Sequence, residues 1–133
     1  MAYRGHPLAS MVAVFVALLL AGCQHVPSFR RAPARPPLGV PCVFVATAYA
    51  HTGLTASGVP TRRGLVAADP KVLPIGTRIF VRDAGPYSGE YLVADTGSAI
   101  DGYEIDLWME SREEALRFGR CAVLVEVLRY GEP

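Results

Sequence analysis

Val93-Ala94-Asp95-Thr96-Gly97-Ser98-Ala99-Ile100-Asp101-Gly102-Tyr103-Glu104-Ile105-Asp106-Leu107 is the segment of this chain in which its function is expected to lie. It begins as a strand, passes through a glycine-containing loop and re-enters a strand. Alternation along Ile105-Asp106-Leu107-Trp108-Met109 puts Ile105, Leu107 and Met109 on one face, expected to fill a core, and turns Asp106 and Trp108 together to the other. The quoted stretch carries four carboxylates and no basic residue. Acidic groups crowded without cations repel one another, so at least one is expected to hold its proton to unusually high pH. A carboxylic acid still protonated near neutrality is what handing a proton to a leaving group requires.

Working outward, the flanking sequence reads as more short strands. They are Val43 to Tyr49, Gly64 to Ala68 (broken by Asp69-Pro70), Thr77 to Arg82, Tyr91 to Ala94 and Arg120 to Tyr130. Ala84 to Gly89 is a turn joining two of them as a hairpin. One helix interrupts the series: Ser111 caps it, Glu114 completes a capping box, and Gly119 stands where the chain must leave. About six strands and one short helix in so few residues imply a mainly β, closed barrel, because a small open sheet would leave long edges exposed.

The N-terminus reads as an export signal. Arg4 supplies a basic start, and the apolar run Met11 to Leu20 is too short to span a bilayer as a permanent helix. Leu20-Ala21-Gly22-Cys23 resembles the bacterial lipobox, which implies a signal peptide over 1–22 and lipid on Cys23. Gln24 stands where Asp would signal inner-membrane retention, so the resemblance points to the periplasmic side of the outer membrane. Residues 23–41 then form a tether rich in Pro and Arg, expected to be extended. Its basic charge suits anionic headgroups or acidic wall polymer, or simply keeps it soluble.

Residues 42–133 are expected to be one domain. Nine basic against twelve acidic residues give it a net charge of −3, which excludes the basic stripe a nucleic-acid surface needs. With Cys23 lipidated, Cys42 and Cys121 remain in a compartment that permits oxidation. A disulfide between them is expected; it would close about 80 residues and add on the order of 4 kcal/mol. Two separate thiols are the alternative. His51 is the domain's only histidine, so no zinc site is expected.

Five segments in order carry a family resemblance. Thr55-Ala56-Ser57-Gly58, Arg63-Gly64-Leu65-Val66-Ala67-Ala68-Asp69-Pro70, Leu73-Pro74-Ile75-Gly76-Thr77, Val93-Ala94-Asp95-Thr96-Gly97 and Ile105-Asp106-Leu107 together resemble the three-aspartate (3D) domain. That domain forms the catalytic half of the membrane-bound lytic transglycosylase A family. The resemblance implies a small six-stranded double-psi β-barrel acting on peptidoglycan glycan strands, without cofactor or metal. It makes Asp106 the general acid and base and Asp95 its electrostatic partner. Asp69 is read as either substrate-binding or structural, since Asp-Pro favours a turn. Thr55 resembles a substrate-facing hydroxyl, though it equally suits bonding the backbone. Trp108 offers an apolar plate to a sugar ring, or packs on the surface. The larger relatives have a second domain walling the groove. Here the cleft is open, completed by a second copy as a homodimer, or weakly active.

Two other readings compete. Asp95-Thr96-Gly97-Ser98 looks like an aspartic-protease loop, but in that family the motif lies early, and neither Thr55 to Gly58 nor Ile105 to Leu107 would be explained. A non-catalytic glycan-binding barrel is the more serious rival.

Overall fold

The computed structural model describes residues 34–132. The six strands are β1 (Cys42–Tyr49), β2 (Leu65–Ala68), β3 (Arg78–Arg82), β4 (Gly89–Asp95), β5 (Glu104–Trp108) and β6 (Cys121–Arg129). Each expected strand forms, with ends displaced by two residues at most. They close into a barrel in the order β1-β5-β2-β4-β3-β6. Phe44, Val66, Ile79, Val93, Ile105, Leu107, Val125 and Val127 fill its interior with almost no exposure. Phe44 stacks flat on Tyr103, with ring centroids 4.6 Å apart.

The expected hairpin is β3–β4, antiparallel. Two pairings, β1 with β5 and β2 with β4, are parallel. Parallel neighbours need long crossovers, so chain order and barrel order diverge.

The helix α1 (Arg112–Phe118) has the expected caps: Ser111 Oγ accepts from Glu114 N–H at 3.1 Å, and Gly119 ends it at a φ of 68°. The return half of the capping box differs. Glu114 Oε2 accepts from the N–H of Glu110, one residue before the cap. Glu114 also binds Arg63 and Tyr87, clamping the helix to the barrel.

The structure corrects two expectations. Cys42 and Cys121 are free thiols on neighbouring antiparallel strands, where Cys42 pairs with Val125 and Cys121 with Ala46. Four positions of register separate them, roughly 13 Å at strand rise, and a disulfide needs Cα atoms within about 7 Å. The expected tether also ends earlier than 41. Residues 34–41 lie on the barrel: Leu38 bridges Val127 in parallel, and Gly39 N–H donates to Val127 C=O at 2.9 Å. Tyr103 and Tyr130 hydroxyls donate to the carbonyls of Ala34 and Pro36. The signal peptide, Cys23 and the rest of the tether lie outside the described residues.

Candidate active site

Strand register assembles the site as one row across four strands. Thr47 on β1 faces Asp106 on β5, Asp106 faces Ala67 on β2, and Ala67 faces Asp95 on β4. The last step depends on an irregularity. Val66 pairs with Val93, but the next residue, Ala67, pairs with Asp95, so Ala94 is skipped. An extra residue of this kind re-aims the side chains beyond it. Without it, Ala94 would stand opposite Ala67, and Asp95 would fall out of the row.

This row floors a cleft of about 320 Å³. Tyr49, Ala67, Asp95 and Asp106 line its strand side, with His51 and the loop 96–100 completing it. Asp106 is half-buried, and Thr47 Oγ1 donates to its Oδ1 at 3.0 Å. Burial lifts the Asp106 carboxyl above the ordinary range, and the nearby charge of Asp95 adds to this, while the Thr47 bond opposes both. The shift has the direction expected from acidic crowding, with desolvation outweighing repulsion. Asp95 accepts three hydrogen bonds. Its Oδ1 takes the N–H groups of Ala56 and Thr96, both at 2.9 Å, and its Oδ2 takes the Tyr49 hydroxyl at 3.2 Å. Burial pushes the Tyr49 phenol up, and the charges of Asp95 and Asp106 push it further, so it stays protonated.

Of the other two acidic residues in the stretch, Glu104 is met by Arg120 from outside it, at 2.8 Å. That bond is the main reason its carboxyl lies below its usual range. Asp101 is exposed.

Asp69, Thr55 and Trp108 do not line this cleft. Asp69 is buried, with Oδ1 accepting from Lys71 N–H at 2.9 Å and Oδ2 from Gly102 N–H at 2.8 Å. Burial alone would raise its carboxyl, but these two bonds prevail and hold it below its ordinary value. Asp69 fixes the loop that leads into β5. Thr55 is also buried, bonding Ser57 Oγ and Val59 C=O, each at 2.9 Å, which holds its own turn. Trp108 does share the outward face with Asp106, but sits two positions of register along, opposite Tyr49, with its indole N–H on the His51 carbonyl at 2.7 Å.

Sequence reasoning missed Thr47 and Tyr49. The available signal was alternation in Phe44-Val45-Ala46-Thr47-Ala48-Tyr49, which sends a hydroxyl and a phenol to the same outward face.

Comparison with known proteins bears on the family and the fold. Residues 64–129 match the family model described as the 3D domain. The chain is 36% identical over 92 residues to the cell wall-binding protein YocH of Bacillus subtilis, covering 62% of this chain and 31% of that one. It superposes on crystal structures of MltA from Escherichia coli, described as having a unique lytic transglycosylase fold. For one the TM-score is 0.50 at 25% identity, covering 62% of this chain and 29% of the other. A second MltA structure gives a TM-score of 0.51 at 24% identity, covering 61% and 28%. This chain thus spans about a third or less of the length of these relatives.

Proposed function

Because this chain carries a 3D domain over residues 64–129, we propose that it is a peptidoglycan lytic transglycosylase. It cleaves the β-1,4 bond between N-acetylmuramic acid and N-acetylglucosamine and leaves 1,6-anhydro-muramoyl ends. The observation that carries this reading is Asp106: a half-buried carboxyl at the cleft, held above its usual range, with a second carboxylate, Asp95, lining the same cleft. The likeness to MltA at 25% identity supports the same chemistry.

Asp106 donates its proton to the glycosidic oxygen as the bond to C1 breaks. The carboxylate so formed takes the proton of the muramoyl C6 hydroxyl, whose oxygen closes on C1. No water is consumed, so one carboxyl serves twice, unlike the two-carboxylate pairs of hydrolytic glycosidases. Asp95 stabilises the positive charge that develops on the sugar ring. The protein works from the periplasmic side of the outer membrane, anchored through Cys23, with a second copy closing the open side of the cleft.

Purified sacculi test the reaction. Mass analysis of soluble products is expected to show anhydro-muropeptides, and Asp106→Asn is expected to lower their release by about 10²–10⁴-fold, the usual worth of a general acid. Equal release by both proteins would end this reading. A second reading, a glycan-binding barrel without turnover, is favoured by the likeness to a cell wall-binding protein. It predicts retention on glycan strands with no anhydro ends formed.

A further inference from the structure

Tyr49 reaches a residue that its own strand never touches. It sits on β1, and its hydroxyl meets Asp95 on β4, with β5 and β2 lying between. Ala67, buried, stands next to Asp95 in the row, and Tyr49, Ala67 and Asp95 line the same cleft. The same phenol lies within the field of both Asp95 and Asp106.

We propose that Tyr49 is a positioning residue that favours the proton on Asp106 over Asp95, by donating its phenol hydrogen to the Asp95 carboxylate. Two carboxylates in one cleft share protons according to the partners each oxygen has. Both Asp95 oxygens are engaged by donors: Oδ1 by the backbone N–H groups of Ala56 and Thr96, and Oδ2 by the phenol. Asp106 accepts from one side-chain donor, Thr47 Oγ1. Three donors against one favour the ionised form of Asp95 over that of Asp106. The titratable side chains around the cleft are Tyr49, His51, Asp95 and Asp106, and the loop 96–100 brings no charge to it. Of the three donors on Asp95, the phenol is the only side chain, so it is the one a substitution can remove.

The inference deepens the reading of Asp106 as proton donor, but its test follows protons rather than turnover, so an inactive protein would leave it standing. Carboxyl carbon shifts of ¹³C-labelled aspartate are followed against pH in the full chain. In the parent, Asp106 is expected to pass through its whole ionisation shift in one step above the ordinary carboxylate range. In Tyr49→Phe, which keeps the ring, that step is expected to lose about half its amplitude at Asp106, the lost part appearing at Asp95, as for a proton shared between two similar sites. Adding Asp95→Asn to Tyr49→Phe removes the second titrating carboxyl and is expected to restore the full step. An undivided, full-amplitude step at Asp106 in Tyr49→Phe would overturn the proposal, as would a reduced step that Asp95→Asn fails to restore.

Discussion

Asp69 and Asp106 are expected to answer pH with opposite signs, because the barrel treats the same side chain in two ways. Asp69 gives both oxygens to backbone N–H groups and sits below its unfolded value. Its stabilisation is present above the unfolded pKa, near 4, and is lost as pH falls through the lower folded value. Asp106 is raised, so the folded state binds its proton more tightly than the unfolded chain does. That preference is complete below the unfolded pKa and vanishes as pH rises through the folded value. Urea unfolding across pH separates the two. At neutral pH Asp69→Asn is expected to cost about 1–3 kcal/mol, the price of a buried amide set against a backbone N–H, and the deficit should shrink in acid. Asp106→Asn is expected to match or exceed the parent above neutrality and to lose that advantage in acid. Equal pH dependence in both variants would contradict the assignment. The sequence made Asp106 legible through its crowded, cation-free surroundings. It could not separate Asp69 from a ligand, because an Asp-Pro turn and a substrate contact are written with the same residue, and the partner N–H groups are invisible in a string.

Elements were legible where the signal is local, and their pairing was not. Alternation and β-rich runs bounded by turns located the strands, and Ser111, Glu114 and Gly119 marked the helix. The parallel pairings and the skipped Ala94 leave no local trace, yet they bring Thr47, Asp106, Ala67 and Asp95 into one row. The same limit explains the disulfide expectation. Two cysteines in an exported domain read as partners until the β1–β6 register sets them four positions apart. Reductant is therefore expected to leave the thermal midpoint of the folded domain unchanged, and Cys121→Ser is expected to behave like the parent with or without it. A fall of several degrees on adding dithiothreitol would require the bond that this register forbids.

At the scale of the molecule, residues 38 and 39 dock on β6 and so tie the segment before β1 to the end of the barrel's last strand. Just past the end of β6, the backbone passes the loop before β3 so closely that no side chain fits. A Cβ placed on Gly131 would stand 2.0 Å from the Ile75 carbonyl oxygen and 2.8 Å from backbone carbon of Gly76. The contact is held by Gly131 N–H on Thr77 Oγ1 at 3.0 Å, and Thr77 is itself fully buried. Nothing soft is available to yield, because the atoms met are main chain on a loop whose next links are bonds from Gly76 and Thr77 to Val93. Gly131→Ala must therefore part the two segments and strand the Thr77 hydroxyl. The expected cost is about 2–4 kcal/mol, in the range of overpacking combined with a lost buried hydrogen bond. Urea unfolding measures it, and Gly131→Ala as stable as the parent would mean that the end of β6 and the loop before β3 separate freely.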